Sequence, residues 1–251
     1  MDKRDATPDA KKYESMAATA YRDGKLDRVL EASELVKGAP SSSLAEIQVA
    51  LADDTAAVTW MFAGDDMLIV LGIRRDGCRP AAVKLDPTHQ GQLRDYLACV
   101  GALAQARPDY KRLVPRIDEL VAALGLILLP TDLRDFIAAK ARLVLCPHRE
   151  LDKFPFHAVQ WMDGETSKFL IESFTVRYVA NLASLDAEAT MDTLWPVNDE
   201  RAKDLRIAFQ RAHERGDDPA SALADAVRAH LASGSREVFY WAPFFVTSRG
   251  A

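Results

Sequence analysis

The sequence predicts an α/β domain: a sheet flanked by helices, opened by an antiparallel meander and preceded by a short helical segment. Three observations carry that expectation. Three β-rich runs separated by turn residues fill about residues 56 to 85. Two long amphipathic helices follow them. A third, shorter helix then feeds directly into the unalternating apolar run RLVLCP, the pattern of a strand buried on both faces of a parallel sheet.

Taken in chain order, residues 1 to 9 are polar and are expected to be disordered. Tyr13, Met16, Ala17 and Ala20 form one apolar stripe, Arg22 to Gly24 a turn, and Leu26, Val29, Leu30, Ser33 and Val36 a second stripe, which together read as a helical hairpin over residues 1–40. The register allows one tetratricopeptide-type unit or an ordinary helical pair packed on the domain, since a single repeat cannot bury its own apolar face. GAPSSS at Gly38 to Ser43 is the linker, and residues 41–251 form the main domain. In the meander, TAAVTWMF and DMLIVLGI flank AGD, and Asp76-Gly77 turns the chain into RPAAVKL.

Leu93, Tyr96, Leu97, Val100, Leu103 and Ala104 share one helical face, as do Tyr110, Leu113, Val114, Ile117, Leu120, Val121 and Leu124 beyond Pro108. TDLRDFIAAKA is the shorter helix, with Thr131 or Asp132 as its cap. Ser173 to Ala180 alternates and reads as a strand. Helices are expected over Asp199 to Arg215 and Pro219 to Ala232, the second capped by Asp218 with Pro219 at its first position. The closing EVFYWAPFFV is a strand broken by Pro243, expected on or near a sheet edge.

Composition narrows the function classes. Of 251 residues about half are apolar, the net charge is −5, and the 32 basic residues are dispersed, so neither a nucleic-acid stripe nor a polybasic membrane patch is present. The longest apolar run, Leu124 to Pro130, is far short of the roughly 20 residues a membrane span requires. Cys78, Cys99 and Cys146 are odd in number and not spaced for zinc, and the start MDKRDATPDAKKYE lacks the apolar stretch of a signal peptide, which points to a cytoplasmic protein with free thiols.

One long segment carries a family resemblance. RLVLCPHRELDKFPFHAVQWMDGETSKFLIESFTVRYVANLASL resembles the middle of CHAT domains, the caspase-like modules often found with tetratricopeptide repeats. The shared features are the strand Leu143 to Pro147, Phe154-Pro155-Phe156, Leu170-Ile171-Glu172, Val176 to Tyr178 and Ser184-Leu185. TLWPVND with the helix pair after it is similar to a second family block, and YWAPFFV to the closing one; the meander and LAEIQVALADDTAAV match the family's N-terminal part. The resemblance spans about Ser42 to Ser248 and implies a caspase-like sheet.

The same resemblance locates a gap. Active CHAT domains are cysteine peptidases whose histidine sits in a GHG-like motif and whose nucleophile sits in SAC-T, both between SL and LWPVND. Here only DAEATMDT joins Leu185 to Leu194, and neither motif occurs. Were Ser173 to Ala180 and Thr193 to Trp195 parallel neighbours, Asn181 to Asp192 would be barely long enough to cross over, so a reduced sheet, an irregular hop or pairing with another chain is expected.

Cys146 is the most attractive remaining nucleophile, at the carboxyl end of a parallel strand, with His148 or His157 as base. Against it, the matching family position carries no nucleophile, and free cysteine is a habitual core residue. Cys99 reads as inward or half-buried and Cys78 as exposed and oxidisable. His89, His213 and His230 form no zinc pattern, and the doublets Asp53-Asp54, Asp65-Asp66 and Asp217-Asp218 suit turns and caps. Trp195 is expected to pack the helix pair 199–232. No residue is therefore assigned a catalytic, cofactor or metal role.

The expected function is a non-catalytic CHAT-type protein-interaction or pseudo-peptidase module with a protein partner, and with self-association among its expected states. The alternative is an internally deleted or incompletely represented CHAT cysteine endopeptidase, controlled by partner binding and acting in bacterial defence.

Overall fold

The computed structural model describes residues 8–40, 42–105, 108–163, 166–197, 200–234 and 236–248. The predicted disorder of residues 1–7 lies outside them, and helix α1 begins at Pro8, two residues inside the stretch expected to be irregular. Helices α1 (Pro8–Arg22) and α2 (Leu26–Val36) form the predicted hairpin, followed by α3 (Leu44–Ala50). Ala17, Ala20, Val29 and Leu30 are buried as the stripes require, but Met16 is 37% exposed and Glu14, not Met16, turns inward. At α3 the sequence SLAE closes a capping box: the Ser43 hydroxyl accepts from the Glu46 N–H at 3.2 Å, and the Ser43 N–H donates to the Glu46 carboxylate at 2.8 Å.

The meander comprises β1 (Thr55–Phe62), β2 (Met67–Arg74) and β3 (Gly77–Lys84). Every residue of β1 is buried, because helices cover both of its faces, whereas β3 carries Arg79, Pro80 and Lys84 on an outer edge. Charge and proline there discourage pairing with another chain. Helices α4 (Pro87–Leu103), α5 (Tyr110–Leu128) and α6 (Thr131–Ile137) lead to β4 (Arg142–Cys146). The cap position of α6 falls on Pro130, without a side-chain bond, rather than on Thr131 or Asp132. Thr131 is already the first helical residue, so its hydroxyl is one position too late to cap.

Beyond β4 come two 3-10 turns, Arg149–Lys153 and Phe156–Ala158, the ribbon β5 (Gln160–Asp163) with β6 (Thr166–Phe169), α7 (Leu170–Ser173), and β7 (Thr175–Val179). The Phe-Pro-Phe of this stretch is core: Phe156 stacks on Trp60 with centroids 4.0 Å apart, and Phe154 meets Tyr96 at 5.4 Å. The Trp60 indole N–H donates to the Leu128 carbonyl at 2.7 Å, and the Tyr96 hydroxyl to the Lys153 carbonyl at 2.6 Å, so the polar tips of both rings are satisfied.

After the 3-10 turn Leu182–Ser184 the chain forms β8 (Ala189–Thr193), α8 (Glu200–Glu214), α9 (Pro219–Ala232), α10 (Val238–Trp241) and β9 (Phe244–Ser248). The main sheet has seven strands in the order β3-β2-β1-β4-β7-β9-β8. β1, β4, β7 and β9 run parallel; β2, β3 and β8 are antiparallel to their neighbours. This is the expected α/β fold, a mixed sheet flanked by helices.

Two expectations are corrected here. The strand at the short join is Ala189–Thr193 rather than Thr193–Trp195, and it runs antiparallel to β9. Turning back beyond β9 requires no crossover helix, which is how so short a join is accommodated. The closing segment is not one strand: Val238–Trp241 is the helix α10, and the strand β9 begins after Pro243, next to the edge strand β8 and so near the sheet edge as expected. Trp195 is buried, with its indole N–H donating to the Phe239 carbonyl of α10 at 3.2 Å. It shares one core with Leu205, Phe209, Leu223 and Val227 of α8 and α9.

Side chains pack into two cores. The larger holds Val58, Trp60, Leu143, Leu145 and Tyr178 together with α4 to α6 and the C-terminal helices. The smaller holds Ala57, Met61, Val144, Cys146 and Val179 beneath α1 to α3. Alternation along β1 and β4 divides them, so consecutive residues of one strand serve different cores.

Candidate functional site

The carboxyl ends of β1, β4 and β7 form one edge, where open α/β sheets bind ligands. Cys146 ends β4, in register with Thr59 of β1. Its side chain is fully buried in the smaller core. Lys37, at the end of α2, points its ammonium into this edge, donating to the Thr59 hydroxyl at 2.7 Å, the Cys146 carbonyl at 3.1 Å and the Cys146 sulfur at 3.1 Å. Three donors meet three acceptors. The Cys146 thiol in turn donates to the Ala180 carbonyl at 3.8 Å, and Ser33 of α2 meets the Thr59 hydroxyl at 3.2 Å. Burial pushes the Cys146 thiol up, and Lys37, the largest opposing influence, does not reverse the shift. The sulfur is a neutral thiol, not a thiolate.

Neither candidate histidine is placed to activate it. His148 Nδ1 accepts the Phe62 backbone N–H at 3.2 Å, which commits that nitrogen as an acceptor. Burial, then Lys37 and Arg149, hold His148 down at about 3. His157 lies on the other side of the sheet. Its Nδ1 is 2.8 Å from the Tyr178 hydroxyl, which also accepts the His157 backbone N–H at 3.2 Å, and its ring meets Trp241 at 5.9 Å. Tyr178 is in register with Leu145, whose side chain enters the larger core while that of Cys146 enters the smaller. Burial holds His157 at about 3 as well, with the Ala242 backbone the one neighbour favouring its charged form.

Sequence reasoning missed the polar side chains that the hairpin delivers to this edge. Glu34 is fully buried, and its Oε2 accepts the Ala183 N–H at 3.1 Å, just beyond β7. Burial pushes the Glu34 carboxyl up against the weaker pull of Lys37 and of the Ala183 and Leu182 backbone. Its Oε1 is buried without a hydrogen-bond partner among the described residues. Glu14 of α1, 7% exposed, pairs with Arg149 at 3.1 Å. Arg149 has φ of 59°, left-handed backbone that a non-glycine residue holds only where its surroundings enforce it. Its guanidinium lies 5.2 Å from the Phe62 ring centroid. The signal for Glu34 and Lys37 was present: they continue the row Leu26, Leu30 at helical spacing, so two charges occupy positions of a buried stripe.

The remaining candidates are dispersed. Cys78 is half-buried, not exposed as expected, because it packs under the smaller core, and burial takes its thiol to about 11. Cys99 lines a cleft of about 710 Å³ between α4 and α5, with Asp95, Ala102, Arg112 and Arg116, and no residue of the carboxyl edge borders it. His89 is 3.2 Å from Asp86 in the first turn of α4, and His213 stacks on Phe209 at 5.9 Å. His230 sits in the last turn of α9. Among the described residues no group of three histidine, cysteine or carboxylate side chains is placed to hold a metal, and no helix is long and apolar enough to cross a membrane.

A scan of the chain against protein-family models finds no match, and a search of the curated proteins finds no significant one.

Proposed function

We propose that the chain is a non-catalytic, CHAT-like module that works by binding protein, a peptidase scaffold without peptidase chemistry. The observation that carries this reading is the environment of Cys146: an ammonium at 3.1 Å and a carbonyl at 3.8 Å, with the His157 ring on the opposite side of the sheet. A cysteine nucleophile works as a thiolate beside a base, and a buried neutral thiol that donates to a carbonyl is inert. Support also comes from the short join, where β8 pairs with β9 through five residue pairs and leaves the sheet continuous. Three free cysteines accord with a cytoplasmic setting.

Incubation of the purified chain with a peptide library and a thiol-directed active-site probe tests the proposal. No turnover and no rapid labelling of Cys146 are expected. Turnover that Cys146→Ser abolishes would overturn it.

A further inference from the structure

The two rims of the sheet are built differently. β3 is blunted by Arg79, Pro80 and Lys84, whereas β8 contains neither proline nor a basic residue, and no second strand pairs with it among the described residues. The ladder to β9 sets the direction of its backbone groups. The Leu194 N–H donates to the Pro243 carbonyl at 2.9 Å, continuing the register that pairs Thr193 with Phe244. Alternation then turns the N–H and C=O groups of Thr190 and Asp192 toward β9, and those of Ala189, Met191 and Thr193 away from it. The Thr193 N–H agrees with this, since it donates to the Asp192 carboxylate at 2.7 Å. Charge along this rim has one sign. From Leu182 to Val197 the chain carries Asp186, Glu188 and Asp192 and no lysine or arginine. Glu188, directly before the strand, and Asp192 are four apart, which places them on one face of an extended chain.

We propose that β8 is a docking strand: an extended segment of a partner protein, bearing two basic residues four apart, adds antiparallel to this rim of the seven-stranded sheet. The inference rests on the reading of the chain as an interaction module, and specifies what that module recognises. Backbone supplies the affinity, because Ala189, Met191 and Thr193 turn their hydrogen-bonding groups outward. Side chains supply the choice. Thr190 and Asp192 commit their own N–H and C=O groups to β9, so their pairs across the outer ladder are of the non-hydrogen-bonded kind, in which side chains stand closest. A lysine or arginine opposite Asp192 and a second opposite Glu188 therefore meet carboxylates at short range. At Thr193 a carbonyl of the incoming strand takes the N–H that Asp192 now holds, which turns the Asp192 carboxylate toward the basic residue. A second copy of β8 fits less well. Paired about Met191, it sets Asp192 against Thr190 and Glu188 against Leu194, and it brings more negative charge to an acidic rim.

The test uses the full chain and a fluorescent peptide, Thr-Val-Lys-Val-Thr-Val-Lys-Val-Thr, beside a second peptide with glutamate in place of both lysines. Excess lysine peptide is expected to slow amide hydrogen exchange at Ala189 and Met191, whose N–H groups face outward, by about tenfold or more. The amides of Thr190 and Asp192, already bonded to β9, should change little. The lysine peptide should bind about tenfold tighter than the glutamate peptide, the effect of two cross-strand charge pairs. Glu188→Lys in the chain, at an exposed position outside the strand, should narrow that preference several-fold while leaving the fold intact. Unchanged exchange at Met191 up to the solubility limit of the lysine peptide, or equal affinity for the two peptides, would overturn the proposal. Concentration-dependent dimerisation that protects the Met191 amide would also overturn it, assigning the rim to a second copy. Should Glu188→Lys prevent folding, the wild-type exchange and the comparison of the two peptides still decide. Peptide turnover by Cys146 would sink the non-catalytic reading while leaving these binding results intact, so the two failures are distinguishable.

Discussion

Gly125 on α5 faces Val159 so closely that an added Cβ would stand 2.9 Å from one methyl carbon and 3.0 Å from the other. Neither side can yield freely, since Val159 is fully buried. Gly125→Ala is therefore expected to lower stability by about 1–3 kcal/mol through overpacking, and Val159→Ala in the same chain to return much of it. Urea midpoints of the single and double variants measure this, and a neutral single variant would refute the packing account. At Cys146, serine can still accept from the Lys37 ammonium, whereas valine leaves one of its donors without an acceptor. Cys146→Ser should stay within about 1 kcal/mol of wild type and Cys146→Val fall by about 1–3 kcal/mol. That Cys146 is core was legible from its place in an apolar run. Lys37 and Glu34 were harder to read, because charge at the end of a helix is ordinarily solvated, and only the row through Leu30 betrays their burial.

Among the elements, α9 shows local sequence deciding a boundary. Asp218 caps it, accepting from the Ser221 N–H at 3.1 Å and from the Ser221 hydroxyl at 3.0 Å, with Pro219 in the first turn. Asp218→Ala should cost about 1 kcal/mol and Asp218→Asn much less, read as shifts in thermal midpoint. The meander, α4, α5, β4 and β7 were equally legible, since each has a period or a turn that its own residues dictate. The direction of β8 and the helical turn of Val238–Trp241 within the closing segment were not. ATMDT is short and half polar, and it becomes a strand through the backbone of β9, a partner far along the chain. Propensity cannot report such pairing.

For the molecule as a whole, the two neutral histidines set the response to acid. In the unfolded chain each takes a proton near 6.5; folded, His148 and His157 take one only at about 3. Their contribution is intact above 6.5 and is lost as pH falls from there toward 3, at up to about 1.4 kcal/mol per pH unit for each fully responding group. Asp118 works in the opposite sense. Burial raises it to about 6, against the backbone N–H groups of Val238 and Phe239 that favour its charge, so its contribution grows as pH falls through 6. Glu34 and Glu14, raised mainly by burial, act in that sense as well. Wild-type stability should therefore decline between pH 6.5 and 5 with a slope less than two histidines would give. His157→Gln should flatten or invert the slope, provided the variant folds at pH 7. Urea midpoints at pH 7, 6 and 5 provide the comparison, and parallel curves for the two proteins would refute the assignment.

The insertion of β9 between β7 and β8 also dictates an order of events during synthesis. β8 has emerged while β9, its sheet neighbour among the described residues, is still to be made, and a loop of about fifty residues must close before the two can meet. Until then β7 and β8 present unpaired backbone, a template for wrong partners on crowded ribosomes. Closure of this side of the sheet thus waits for β9, and a nascent chain arrested before Phe244 should be held by chaperones where one extended beyond Ser248 is released.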